Sequence, residues 1–195
     1  MHKKGIIRKL EGKIIALSGL PGSGKTTLGE YLARKYGFEF YSMGIIRRKL
    51  AEKKGIDINE LNKIGEEDYS TDKEADDFLK SLSNKKNLVI DGRMAFYFIP
   101  DSIKIFLEVD LLVGAKRIYS ESREKEKYSS VGETFQKLKA RIESDRRRYK
   151  KYYNLDIFNR KYYDIIIDTT NLSIPDAKKT IKESVEKFIN NHKNK

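Results

Sequence analysis

The chain has 195 residues, and its 41 lysines and arginines outnumber its 29 aspartates and glutamates to give a formal net charge of +12. It has no cysteine, which excludes disulfides, thiol nucleophiles and zinc–cysteine sites, and its two histidines, His2 and His192, lie too near the ends to build a histidine triad or metal cluster in a core. No apolar run approaches the ~18 residues of a membrane span and no signal peptide is recognised, so we expect one monomeric, cytoplasmic domain over residues 1–195 without a membrane partner.

A phosphate-binding loop follows the first predicted strand, the apolar run 14–17. Residues 19–26 read GLPGSGKT, which fits the pattern G-x-x-x-x-G-K-[ST], and a helix is predicted over 26–36. In such a loop backbone N–H groups enclose phosphate oxygens, the lysine reaches the β and γ phosphates, and the next hydroxyl can bind Mg²⁺. The motif predicts a nucleoside triphosphate site formed by Gly19, Pro21, Gly22, Ser23, Gly24, Lys25, Thr26 and Thr27.

Strand and helix patterns alternate along the rest of the chain. Further strands are predicted at 38–42, 87–91, 103–109 and 164–168. Helices are predicted after Gly44 as far as Lys54, over 111–122 and 131–153, and from Pro175. Residues 58–83 carry few apolar side chains among many charges, which predicts two small, mostly exposed helices outside the core.

This alternation predicts an α/β fold with a five-stranded parallel sheet covered by helices on both faces. The expected division is a core of residues 12–42, 85–117 and 131–192. An insert at about 43–84 and a polar lid at about 118–130 would stand outside this core.

Asp91 ends the third predicted strand, at the sheet edge where the phosphate loop also lies. Its carboxylate is a candidate to hold Mg²⁺ together with Thr26. The alternative is a turn in which Asp91 caps a neighbouring backbone group, because Asp-Gly is a common turn sequence.

Six arginines follow strands or lie on helices that flank the expected cleft: Arg48, Arg93, Arg117, Arg123, Arg141 and Arg148. Guanidinium groups bind phosphates bidentately and keep their charge, so a ring of them would hold two phosphorylated ligands. Taken singly, each is equally well explained as a solvated surface residue. The net charge likewise fits either a lysine-rich surface or attraction to a polyanion such as RNA. Since the lysines are scattered, we expect no dedicated nucleic-acid partner.

Arg141, Asp145 and Arg148 are spaced i, i+4 and i+7, which places them on one helical face where the carboxylate can hold both guanidiniums. The alternative is a surface ladder of ion pairs worth under ~1 kcal/mol.

A further indication of the acceptor is the absence of an acid in the segment 43–46 after the second strand, where a base for an alcohol acceptor would stand. A phosphate monoester is already anionic and needs no such base, so the sequence favours a nucleoside monophosphate acceptor.

Together these segments resemble the cytidylate kinases of the short type typical of archaea, within the nucleoside monophosphate kinases, over residues 14–177. The resemblance is carried by the phosphate loop, by SMGIIRR at 42–48, by DGR at 91–93, and by 141–150 followed by 153–157. It implies ATP and Mg²⁺ as cofactors and CMP or dCMP as acceptor.

The resemblance also implies roles for individual residues. The acceptor phosphate would be bound by Arg48, Arg93 and Arg148, with sugar and phosphate contacts from Arg141 and Asp145. The catalytic residues would be Lys25, Arg148 and two lid arginines, Arg117 and Arg123. Two departures from the family pattern are Ile45, where many relatives carry an acid, and AFY at 95–97, where the family often has Ala-Gly-Trp. Alternatives are a kinase for AMP, UMP or a broader set, and a nucleotide-gated RNA-binding factor.

Overall fold

A computed structural model describes residues 2–121 and 128–192, without the side chains of residues 2–4 and 59. In these residues five parallel strands form one sheet in the order β2-β3-β1-β4-β5. The strands are β1 (Ile14–Gly19), β2 (Glu39–Ser42), β3 (Leu88–Asp91), β4 (Ile103–Glu108) and β5 (Ile165–Asp168). The sequence-based prediction of a five-stranded parallel sheet is confirmed.

Helices connect the strands and cover both faces of the sheet. They are α1 (His2–Leu10), α2 (Lys25–Tyr36), α3 (Met43–Lys53), α4 (Ile58–Glu67), α5 (Ser70–Leu82), α6 (Ala95–Phe98), α7 (Leu111–Ser120), α8 (Val131–Tyr153) and α9 (Ile174–Asn191). A 3₁₀ turn at Arg160–Tyr162 precedes β5. Within the described part of the chain, no helix is long and apolar enough to cross a membrane.

Alternating residues of β1 supply two separate cores. Ile15 and Leu17 pack with residues of α1, α2 and α9. Ile14 and Ala16 pack on the other face with residues of α5, α6 and α8. Because β1 is buried on both faces, its nearly continuous apolar run is the pattern of a central parallel strand.

The insert contributes more to the core than its composition suggests. Ala75, Leu79 and Leu82 of α5 are buried in the same cluster as Leu88 and Ile90 of β3. The expectation that residues 58–83 are mostly exposed and outside the core is therefore wrong for α5. Few residues of α5 are apolar, but the spacing of these three by four and three places them on one helical face.

Contacts with α8 fasten the insert to the rest of the domain. Arg147 binds Glu66 bidentately, with nitrogen–oxygen distances of 2.9 and 3.1 Å. Lys151 donates to the backbone carbonyl of Glu66 at 2.7 Å, and the Tyr152 hydroxyl donates to the carbonyl of Gly65 at 3.0 Å. The C-terminal end of α4 is therefore docked on α8, next to the cavity described below.

Candidate active site

The phosphate loop is shaped by glycines that no other residue can replace without strain. Gly19 has φ +140°, and a Cβ atom there would lie 2.1 Å from the carbonyl oxygen of Leu107. Gly22 has φ +77°, and its Cβ would lie 2.5 Å from backbone atoms of Gly114 in α7. The loop is thus packed tightly between β4 and α7, which fixes the direction of its N–H groups.

Lys25 and Thr26 begin α2 directly after this loop. The Lys25 ammonium donates to the carbonyl oxygen of Leu20 at 2.7 Å, so the side chain folds back over the loop. The N-terminus of α2 adds the partial positive charge of its free N–H groups at the same place. This arrangement suits an anionic ligand such as a polyphosphate.

Asp91 lies where the carboxyl ends of β1, β2 and β3 meet. Its Oδ2 accepts hydrogen bonds from Thr26 Oγ1 at 2.9 Å and from Ser42 Oγ at 3.1 Å. The carboxylate thus faces two hydroxyl groups, in contrast to the alternative of a simple backbone cap. A carboxylate and a threonine hydroxyl in contact are oxygen donors of the kind that Mg²⁺ accepts, so the pair fits the ion proposed from the sequence.

A cavity of about 390 Å³ joins the phosphate loop to the insert and to α8. Four of the six candidate arginines line it: Arg48, Arg93, Arg141 and Arg148. The same cavity is lined by Lys25, Thr26 and Asp91. The structure therefore brings the donor-side loop and most of the basic candidates to one space.

Two buried carboxylates orient these arginines. Asp145 Oδ1 accepts from Arg148 Nη2 at 2.5 Å, and Asp145 Oδ2 lies 2.6 Å from Arg93 Nε. Asp72 of α5 binds Arg148 Nη1 at 2.6 Å and Arg47 Nη1 at 2.6 Å. The side chains of Asp145 and Arg148 are only 1% and 2% exposed, so the surface-ladder interpretation is wrong for this pair.

Electrostatics keep Asp145 ionised despite its burial. Desolvation by itself would raise the pKa of this carboxyl, but the guanidiniums of Arg93, Arg148 and Arg141 outweigh it and hold the pKa below its usual range. A carboxylate that stays charged next to several arginines fixes their side-chain orientations and so limits the entropy lost when a phosphate binds.

Comparison with known proteins places this geometry in a family. The sequence profile of the cytidylate kinase-like family matches residues 14–171. The chain belongs to the cytidylate kinase-like family. It is 32% identical to the cytidylate kinase of Desulfurococcus amylolyticus, covering 90% of this chain and 94% of that protein. It is 35% identical to the cytidylate kinase of Methanocella arvoryzae, covering 90% and 98%.

Solved structures show the same fold at lower sequence identity. Shikimate kinase from Acinetobacter baumannii superposes with a TM-score of 0.61 at 20% identity, over 98% of this chain and 99% of that one. A gluconokinase from Sinorhizobium meliloti gives a TM-score of 0.61 at 14% identity, over 93% and 95%. The predicted fold of the phosphate-loop kinases is thereby confirmed for this cytidylate kinase-like protein.

Of the two arginines predicted to act from the lid, Arg117 lies in the described part of the chain and is not among the residues that line the cavity. Arg117 of α7 donates through Nη2 to the carbonyl oxygen of Thr169 at 2.7 Å and through Nη1 to that of Gly22 at 3.4 Å. It therefore ties the phosphate loop of this cytidylate kinase-like chain to the segment after β5. Arg123 lies outside the described residues. The catalytic roles of both stay predictions.

Three functional candidates were missed from the sequence: Arg47, Asp72 and Asp76, all of which line the cavity. Arg47 donates to Asp72 and to Asn62 Oδ1 at 3.1 Å. Asp72 and Asp76 are one turn apart on α5, and both are buried. Their spacing is a visible signal, but only the contacts between α5 and its neighbours show that Asp72 binds arginines and that Asp76 binds the hydroxyls of Tyr69 and Tyr153.

Proposed function

We propose that this protein is a kinase that transfers the γ-phosphoryl group of ATP to CMP or dCMP. The observation that most supports this activity is a cavity lined both by the phosphate loop and by arginines. Two of these arginines, Arg93 and Arg148, form ion pairs with the buried carboxylate of Asp145. Relatives that match about nine-tenths of the chain are cytidylate kinases, which favours CMP over the alternative acceptors and over an RNA-binding factor.

On the donor side, the loop N–H groups and the Lys25 ammonium would bind the β and γ phosphates. Thr26 and Asp91 would hold Mg²⁺, which when bound neutralises charge on the phosphate oxygens. Since no group of three or more acidic or histidine ligands is found in the described residues, the other ligands of the ion would be phosphate oxygens and water, as is usual for Mg²⁺.

On the acceptor side, Arg48 and Arg93 would bind the monophosphate, with Arg93 held in orientation by Asp145. Arg148 would contact the same phosphate while Asp72 and Asp145 fix its guanidinium, and Arg141 would add a further contact. The acceptor oxygen is anionic at neutral pH, so these residues need only align it with the γ phosphate and neutralise charge. No general base is required.

Lid closure would complete the site by excluding water and bringing Arg117 and Arg123 to the transferring group. The proposal also includes closure of residues 118–130 and the division of the chain into a core and an insert. It includes action as a cytoplasmic monomer as well.

A panel of acceptors tests the activity. ADP formation from ATP is measured with CMP, dCMP, UMP and AMP in parallel, and we expect the highest kcat/KM with CMP or dCMP. Equal rates with all four would favour the broad-acceptor alternative. RNA affinity that falls steeply with salt, without turnover of any monophosphate, would favour the RNA-binding alternative.

A further inference from the structure

One face of α5 lines the cavity through Asp72, Ala75, Asp76 and Leu79. Asp72 marks the phosphate region, because it binds two of the guanidiniums described above. Asp76 lies one helical turn further along, roughly 5–6 Å away on the same face. Ala75 and Leu79 beside it belong to the same buried apolar cluster as Met94, and all three line the cavity, which gives it an apolar wall here. Such a wall suits the ring of a nucleobase whose phosphate lies among the arginines.

Asp76 is an unusual residue for such a wall because it is a buried carboxylate, 3% exposed. Among residues 2–121 and 128–192 it forms no ion pair; its contacts are hydrogen bonds from the hydroxyls of Tyr153 and Tyr69. Burial raises the pKa of this carboxyl to about 6, although the two tyrosines lower it. A carboxylate buried at such a cost, at the edge of a ligand cavity, is a candidate for a functional role.

The geometry of the tyrosines leaves one oxygen of Asp76 for a ligand. Both tyrosine hydroxyls contact Oδ2, and the hydroxyls are themselves 2.7 Å apart. In the described part of the protein no hydrogen bond reaches Oδ1. The tyrosines therefore fix the plane of the carboxylate and leave Oδ1 as an acceptor at the cavity wall.

The two pyrimidines differ in the group that such an oxygen would meet. Cytosine carries a 4-amino group, which donates hydrogen bonds, whereas at the same position uracil carries a carbonyl oxygen, which only accepts. An ionised carboxylate also only accepts. It would bind the amino group and repel the carbonyl oxygen.

We propose that Asp76 selects cytosine over uracil by accepting a hydrogen bond from the 4-amino group of the acceptor base at Oδ1, with Tyr69 and Tyr153 positioning the carboxylate. This assignment rests on the proposed function and names the residue that determines its base specificity.

The test is the ratio of kcat/KM for CMP to kcat/KM for UMP in wild type and in Asp76→Asn. The asparagine has the same shape, has no charge, and can turn a donor toward the uracil carbonyl. Loss of a hydrogen bond to a charged group costs about 1.5–3 kcal/mol, so kcat/KM for CMP should fall about 10- to 10²-fold. The kcat/KM for UMP should rise. The ratio of the two values should therefore fall by a larger factor than the kcat/KM for CMP does.

Asp77→Asn is the matched control. It removes the same charge from the next residue of α5, whose side chain is 47% exposed and binds Lys73 and Lys80. We expect this variant to keep the wild-type ratio. A ratio that falls equally in both variants would show a general charge effect and overturn the assignment.

The remaining outcomes separate this assignment from the proposed function. A wild type that phosphorylates CMP and UMP equally, or Asp76→Asn with an unchanged ratio, overturns the role of Asp76 and leaves the kinase intact. A wild type that phosphorylates no monophosphate overturns the proposed function itself. If Asp76→Asn is folded but inactive, dissociation constants for CMP and UMP from calorimetry must show the same loss of preference. If Asp76→Asn does not fold, the Asp76→Ser variant must show the same loss of preference for CMP over UMP in its kcat/KM values.

Discussion

Replacing Asp76 by asparagine should change the pH dependence of folding in a direction that its burial dictates. The carboxyl has an ordinary pKa of 3.8, and burial raises it to about 6 in the folded protein. Between these values the folded state binds more protons than the unfolded state, so the free energy of unfolding falls as pH rises. Asparagine does not titrate, so the Asp76→Asn variant does not lose this part of its free energy of unfolding as pH rises.

The magnitude follows from the two pKa values. A difference between 3.8 and about 6 corresponds to about 3 kcal/mol. About 2 kcal/mol of this is developed between pH 4.5 and 7.5. The groups around the carboxyl determine how large the pKa shift of Asp76 is. Asp72 raises the pKa further, and Tyr153, Tyr69 and Arg47 lower it. We therefore expect the free energy of unfolding of Asp76→Asn, relative to wild type, to increase by about 2 kcal/mol between these pH values.

Urea denaturation followed by circular dichroism at pH 4.5 and 7.5 measures this difference, provided that the slopes with urea agree between the proteins. The comparison cancels the titration of other groups, such as Asp145. Asp77→Asn is again the control. The hydrogen bonds of Lys73 and Lys80 lower the pKa of Asp77, so its titration lies mostly below pH 4.5 and the stability of this variant relative to wild type should hardly change between the two pH values. A difference between wild type and Asp76→Asn that is the same at both pH values would refute the reasoning.

Two further predictions concern the arginine network and the phosphate loop. Asp145→Asn should lower the free energy of unfolding by about 3–5 kcal/mol, because it leaves the buried Arg148 and the neighbouring Arg93 without their shared carboxylate. Thermal unfolding measures this loss. A loss below about 1 kcal/mol would show that Asp145 does not hold the two arginines as described. Gly22→Ala should lower stability and ATP affinity more than Gly24→Ala. Both glycines have positive φ, which costs roughly 1–2 kcal/mol for a side chain, but only at Gly22 would the new Cβ also clash with Gly114. Equal losses in calorimetry of the two variants would contradict this packing.

Local patterns predicted the elements well where the signal was dense. The long helix over 131–153 is found with the same bounds, because regular apolar spacing continues from the cap at Ser130 to Asn154, where the backbone turns left-handed. The phosphate loop was predicted from its sequence alone, since Gly19, Gly22 and Gly24 all have positive φ, a local backbone requirement that favours glycine. Helix α1 was not predicted: it is short, and among its side chains from Gly5 onward two, Ile6 and Leu10, are buried in the core.

The site was harder to predict because its pairs join distant parts of the chain. The spacing on α8 predicted that Asp145 would hold Arg141 and Arg148. The structure shows a hydrogen bond with Arg148, and the second close ion pair is with Arg93 from the loop after β3. The partnership of Asp72 with Arg148 spans 76 residues and depends on how α5 packs against α8. Nothing in the local pattern around either residue contains that information.

Transfer of label from [γ-³²P]ATP to CMP, in wild type and in Lys25→Ala, tests the central claim that donor and acceptor phosphates meet in this cavity. We predict labelled CDP with the wild type and a rate lower by about 10²-fold or more in the variant, the cost of removing one preorganised charged group. Wild type that forms no labelled CDP, or a Lys25→Ala variant that forms it at the normal rate, would contradict the account.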